Sequence, residues 1–318
     1  MALKWSNSAE WSINKCQRQF WYRKVFASPQ AKWGGARREA NILGTVLGLP
    51  AWRGILVHNV ISEWVLPRWY QNGLPSPDET VAHALGRARR QLAFSSDRRY
   101  REVGMTKTKA DGDYLALWED EFPPEDPQYF TDAKAKALRD IETSLRTFYE
   151  VELVQQRLSY PGWTNWEVGL SVKEMGVPVM ARIDFLASGA DDLALVDWKV
   201  GESHVYDHAP QLELYAALLE RTDRFAPAGS YSATERFPQE VRALPKRLVE
   251  VNLLLGETHE HDWSEDRAIE AEDRLFRSAR RLASFSDLSS STDPAELAPA
   301  ESPRTCQWCP FRSPCREL

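Results

Sequence analysis

Apolar positions change period along this chain, and the changes mark its elements. Over residues 9–26, Trp11, Ile13, Phe20, Tyr22, Val25 and Phe26 recur at helical intervals, predicting a helical or irregular opening segment with Cys16 facing the C-terminal cysteines. Residues 48–66, GLPAWRGILVHNVISEWVL, are apolar on almost every side, Ile55 included, so a core helix is expected there. Gly54 stands one turn before His58 and is expected to admit a close neighbour. A helix is read from residue 78, an acidic, proline-rich surface loop over 118–131, and a long amphipathic helix over 133–157 burying Leu138, Ile141, Leu145, Phe148 and Leu153.

The period then drops to two. WTNWEVGLSV (163–172) reads as a strand carrying Glu167, either an acid at the rim of a site or a strand-edge charge. Residues 177–200 read as a hairpin, with turn chemistry in Ser188-Gly189-Ala190-Asp191-Asp192. A helix is expected at 209–221, where Gln211 and Tyr215, four apart, share a face. KRLVEVNLLLGE (246–257) is a further alternating strand, Ser264 is placed to cap a last helix, and 286–305 reads as a linker.

Three charges interrupt the hairpin: Asp184, Asp197 and Lys199. Burying charge in a sheet is costly unless it is paired or binds a cation. Asp197 and Lys199 are two apart and leave a strand on the same face. The side taken by Asp184 depends on the turn. A five-residue turn at 188–192 sends it to the opposite face; an even-length turn or one bulged residue brings it level with Asp197, and such an irregularity is expected. Two carboxylates converging at one end of a sheet suit Mg²⁺ or Mn²⁺. A lysine beside them can hold a water and stabilise charge developing on a phosphate. Taken alone, Asp-x-Lys also describes an inert pair on a half-exposed strand.

At 318 residues the chain makes one large domain or two small ones. No apolar run approaches membrane-spanning length, and the polar start MALKWSNSAEW does not read as a signal peptide, so a cytoplasmic protein is expected. With a net charge of −6, nucleic-acid contact would need a local basic patch. The densest is Arg87, Arg89, Arg90, Arg98, Arg99 and Arg101, interleaved with Phe94 and Tyr100: a solvated face or a phosphate track. The four cysteines are Cys16, Cys306, Cys309 and Cys315, the last three spaced C-x₂-C-x₅-C. In a reducing compartment this pattern favours metal or cluster binding, and zinc and iron–sulfur both remain open.

In this order the motifs resemble the PD-(D/E)XK nuclease superfamily, and within it the RecB-like branch with an iron–sulfur cluster that includes CRISPR-adaptation exonucleases. The resemblance rests on His58 in GILVH, Asp184 in ARID, Asp197 and Lys199 in VDWKVG, Gln211 and Tyr215 in QLELY, and the cysteine order. Ala181 stands where the family often has glycine, and no G-x-x-x-x-G-K-[ST] helicase loop is present. The resemblance implies an α/β restriction-endonuclease-like core, a small mixed sheet flanked by helices. It implies one nuclease domain over 1–285, with a helical insert at about 68–157 and a catalytic core at about 158–257, and a cysteine segment at 306–318 packing on Cys16. His58, Asp184, Asp197 and the Trp198 carbonyl would bind Mg²⁺ or Mn²⁺. Lys199 would position the attacking water, and Gln211 and Tyr215 would support the site or meet the substrate. The cysteines would hold a [4Fe–4S] cluster. The implied activity is a DNA nuclease, an exonuclease on single strands or ends, serving repair, CRISPR adaptation, phage recombination or defence, with a helicase or integrase-type partner. The alternative is a non-cleaving nucleic-acid-binding or scaffold subunit.

Overall fold

The computed structural model describes residues 3–159, 162–174, 176–202 and 208–316. Its first half is helical: α1 (Asn7–Lys15), α2 (Gln17–Trp21), α3 (Ala36–Leu43), α4 (Leu49–Val60), α5 (Leu66–Asn72), α6 (Pro77–Ser96), α7 (Trp118–Glu121), α8 (Pro127–Glu150) and α9 (Glu152–Ser159). Strands β1 (Thr164–Glu174), β2 (Val177–Ser188) and β3 (Leu193–Lys199) follow, then α10 (Ala209–Arg221), β4 (Arg224–Phe225), β5 (Glu235–Arg236) and α11 (Gln239–Ala243). The chain ends with β6 (Lys246–Asn252), β7 (Glu257–His261), α12 (Glu265–Ala283), α13 (Pro303–Gln307) and α14 (Arg312–Arg316).

Five strands form one mixed sheet in the order β1-β2-β3-β6-β7, antiparallel except where β6 runs parallel to β3. A parallel neighbour needs a crossover, and α10 lies within it. The sheet separates two cores. On one side α4 to α6, α8 and α9 pack on Phe185, Val196, Trp198 and Val251. On the other, α1, α10 and α12 cover Ile183, Leu186, Leu195 and Leu248. The helical stretch 66–159 therefore shares its core with the sheet. No described helix is long and apolar enough to cross a membrane.

The opening segment is helical with a break, as its reading allowed: the extended backbone of Cys16 ends α1 and begins α2, and Trp11 is 59% exposed. Several expectations need correction. Ile55 also faces outward, and a Cβ on Gly54 would meet nothing within 4 Å, so that glycine serves no close helix contact. The expected loop before α8 is shorter, because Asp126 caps the helix through the Gln128 N–H at 2.9 Å and Pro127 fits its first turn. The strand read through 257 stops at Asn252; Gly256, at φ 71°, turns the chain into β7, which pattern reading missed. Residues 286–305 are a strap rather than a free linker. Leu297 is buried, its carbonyl accepts from Arg18 Nε at 3.0 Å, and the Ser289 carbonyl accepts from Trp21 Nε1 at 2.8 Å. Ser264 does cap α12, through the Arg267 N–H at 3.3 Å.

Candidate active site

The connection between β2 and β3 holds four residues, 189–192, because Ser188 is already paired with Leu193. That even length sets the register. Phe185 pairs with Val196, and one step further brings Asp184 level with Asp197 on the face of Leu186 and Leu195.

A second irregularity lies beside the first. Along β2, Val177, Val179 and Ile183 face the α10 side, yet Phe185 and Ala187 face the α4 side. Along β1, Val168 and Leu170 face α10 whereas Trp166 faces α4. Both strands exchange faces between paired neighbours, and the exchange falls on Glu167 and Asp184, with the register held on either side. Glu167 absorbs it with φ 51°, a left-handed backbone unusual for glutamate. Backbone strain of this kind gathers at functional sites.

Side chains from both helical layers meet there. His58, on α4, bonds Glu167 through Nε2 and lies with Nδ1 3.5 Å from Asp184 Oδ2. Arg53, one turn earlier, fixes α4 to the end of β3 by donating to the Val200 carbonyl at 3.1 Å. Asp184 also accepts the Trp198 N–H at 2.9 Å. The Trp198 indole points the other way, 5.6 Å from Phe148 and 5.8 Å from Phe185 between ring centres, so only its backbone serves the site. Lys199 forms an ion pair with the buried Asp197. From α10, Gln211 accepts from Lys199 Nζ at 3.3 Å, donates to Asp197 at 3.2 Å and to the Tyr215 hydroxyl at 2.6 Å.

The electrostatics follow from burial and neighbours. Burial opposes a charge on His58, but hydrogen bonds to Asp184 and Glu167 and their charges outweigh it and push its pKa up to about 10. Burial alone would raise Glu167; His58 and Arg182 hold it below the ordinary glutamate value. Asp197 is raised, chiefly by burial and then by the charge on Asp184, with Lys199 pulling the other way. Burial and the Asp197 charge also raise Tyr215, keeping its hydroxyl protonated. Asp197 is thus the acid whose burial its neighbours do not offset, and positive charge beside it would ease that cost.

The donor set fits a divalent cation. Ligand atoms of His58, Glu167 and Asp184 all lie within 4.8 Å of one another. One imidazole among carboxylate oxygens suits Mn²⁺ and tolerates Mg²⁺. Glu167, weighed above as a rim acid or an edge charge, stands in this cluster. Asp197, expected beside His58, leans instead on Lys199 and Gln211. Glu250 continues the row: it pairs across the sheet with Asp197 and holds His208 at 3.0 Å, with His261 3.6 Å away. Sequence reasoning missed it, although a lone acid in the apolar run LVEVN was the available signal.

Four of the six arginines in the patch are paired with acids. Arg87 pairs with Glu63 at 2.7 Å, Arg90 with Asp113 at 3.1 Å and Arg99 with Glu102 at 3.5 Å. Arg98 donates to the Asp120 carbonyl at 3.0 Å, and Arg101 is held by Glu39 at 2.9 Å and by Glu121. Acids from both sides of the patch in the sequence, Glu39 and Glu63 before it and Asp113 and Glu121 after it, fold onto these arginines, which the composition of the patch alone could not reveal. None of the four cysteines is joined in a disulfide, and Cys309 lies against α2. Gln19 links two of them, its backbone N–H reaching Cys16 Sγ at 3.4 Å and its side chain Cys309 Sγ at 3.5 Å. Burial pushes the Cys309 thiol up, and the nearby Cys16 and Cys315 push the same way. Cys306 is exposed, and among the described residues the cysteines do not gather into a group of three that could hold a metal ion.

The mixed sheet carries acids and a lysine at its centre, and α4 sets His58 against them. The model of the PD-(D/E)XK nuclease superfamily matches residues 4–316, and the chain belongs to that superfamily. Its nucleases use divalent metals such as Mg²⁺ or Mn²⁺. A search of curated proteins found no significant match.

Proposed function

We propose that the chain is a deoxyribonuclease dependent on Mg²⁺ or Mn²⁺, acting as an exonuclease on single strands or DNA ends. The observation that supports this best is the convergence of Lys199, Asp197, Asp184, Glu167 and His58 on one spot of the sheet.

Hydrolysis joins a water oxygen to phosphorus and breaks the P–O bond opposite to it. A cation held by His58, Glu167 and Asp184, with Asp197 alongside, would supply positive charge to the phosphate and acidify a water. Lys199 orients that water and donates to a phosphate oxygen as charge grows there. Gln211 holds Lys199 and Asp197 in fixed relation, and Tyr215 fixes the Gln211 amide. The charge on Lys199 opposes the burial that raises Asp197. In the same reading, Cys16, Cys306, Cys309 and Cys315 hold a [4Fe–4S] cluster that clasps the termini; anaerobic protein should be brown and contain iron and sulfide, whereas one zinc per chain would replace that part.

The test is degradation of end-labelled single-stranded DNA with Mn²⁺ or Mg²⁺. Wild type should release mononucleotides or short fragments, and Asp197→Ala and Lys199→Ala should each lose roughly 100-fold or more. DNA binding by wild type without cleavage would favour the non-cleaving scaffold instead.

A further inference from the structure

A groove of about 710 Å³ runs from the active site along the outer sheet, between α1, the β1–β2 pair, α10 and the segment after β4. Its wall on the catalytic side is Gln211 and Tyr215, the residues that hold Asp197 and Lys199. The groove is thus continuous with the centre. Its floor closes because Gly169 bridges Ala226 by two backbone hydrogen bonds of 2.8 Å, and a side chain on Gly169 would crowd Ala226 Cβ at 3.1 Å.

Two rings stand in it without the burial that large aromatics usually take: Trp11, 59% exposed, and Tyr231, 88% exposed. Each carries a cation. Lys15 Nζ lies 4.3 Å from the Trp11 ring centre, and the Arg182 guanidinium 5.8 Å from that of Tyr231. Arg182 in turn binds Glu167 at 3.2 Å and the Ser230 carbonyl at 3.4 Å, tying the Tyr231 segment to a carboxylate of the cation cluster.

We propose that this groove seats unpaired nucleobases of the strand whose phosphate lies in the active site, with Trp11 and Tyr231 as stacking surfaces and Lys15 and Arg182 facing the backbone. The proposal rests on the nuclease reading above and names the substrate class within it: a single strand, because the bases of a duplex are stacked inside and offer no free face. Exposed rings interleaved with cations are the general means of holding single strands without sequence preference. The volume falls within the usual range for a small-molecule pocket.

The experiment compares wild type with Trp11→Ala and Tyr231→Ala, using Trp11→Phe as the conservative control. One substrate is an oligothymidylate of roughly 20 nucleotides; the other is bis(p-nitrophenyl) phosphate, which has no base to stack. Each alanine variant should weaken oligothymidylate binding, read by fluorescence anisotropy in EDTA, by roughly ten-fold. The ratio of kcat/KM for oligothymidylate to that for the small diester should fall by a similar factor, with Trp11→Phe restoring most of it. Unchanged oligothymidylate affinity in both alanine variants would overturn the groove assignment while leaving the nuclease intact. If wild type cleaves neither substrate, the nuclease reading fails, and the anisotropy alone decides whether the groove binds single strands.

Discussion

At the scale of single residues, the site is a chain of contacts in which each charge is held by the next. Tyr215 supports Gln211, which fixes Asp197 and Lys199, while His58 joins Glu167 to Asp184. Tyr215→Phe removes one buried hydrogen bond that touches no reacting atom. It should lower kcat several-fold with little effect on KM, in line with a loss of about 1 kcal/mol. His58 gives a prediction for the metal-free protein. Its pKa is raised from 6.5 to about 10 by two carboxylates, so the stability its charge contributes is fully present below pH 6.5 and is lost as pH rises through about 10. Thermal unfolding in chelator should show that decline in wild type and a flatter profile in His58→Ala. A wild-type profile as flat as that of the variant would contradict the hydrogen bonds assigned to His58. Spacing and resemblance drew these residues together in the sequence, but Glu167 stayed ambiguous because its role depends on an unusual backbone angle that no residue pattern encodes.

Among the elements, the decisive feature is the shared exchange of faces in β1 and β2. Much of the secondary structure was legible: α10 spans the residues read from periodicity, and the hairpin lies where alternation put it. The need for an irregularity followed from Asp184 alone, since two acids cannot share a site from opposite faces. The even-length turn was one of the two forms named, but which residue would leave the turn was not legible. Ser188 has turn chemistry by itself, yet its Oγ accepts the Trp163 N–H at 2.8 Å, which keeps it in the strand and shortens the turn to four residues. β7 was hidden because ETHEH carries no apolar alternation; it is a polar edge strand, recognisable only by its partner β6. Phe185 is the first side chain beyond the exchange and packs, buried, against Trp198. Phe185→Ala should cost roughly 3–5 kcal/mol in urea unfolding. A cost below about 1 kcal/mol would mean that the α4-side core does not anchor the switch.

For the whole molecule, the sheet gathers chemistry from both helical layers, and the chain ends close around it. The strap over 286–305 and the cysteine segment lie on α2, with Phe311 stacked on Tyr22 at 5.3 Å between ring centres. A tie between the chain ends was expected from the four cysteines; the strap was not, because its serine- and proline-rich composition resembles a free linker until its carbonyls meet Arg18 and Trp21. Cys309→Ser should loosen that clasp. Limited proteolysis should then cut within 286–316 sooner than in wild type, while the sheet core persists as a resistant fragment. Equal cleavage rates would show that Cys309 adds nothing to the closure.

The most direct test of the central claim is a crystal of this chain soaked in Mn²⁺ and measured by anomalous scattering. A single strong peak should sit among His58, Glu167 and Asp184, within coordination distance of their side chains, with Lys199 and Asp197 beside it. A peak elsewhere, or none at a concentration that supports cleavage, would contradict the account.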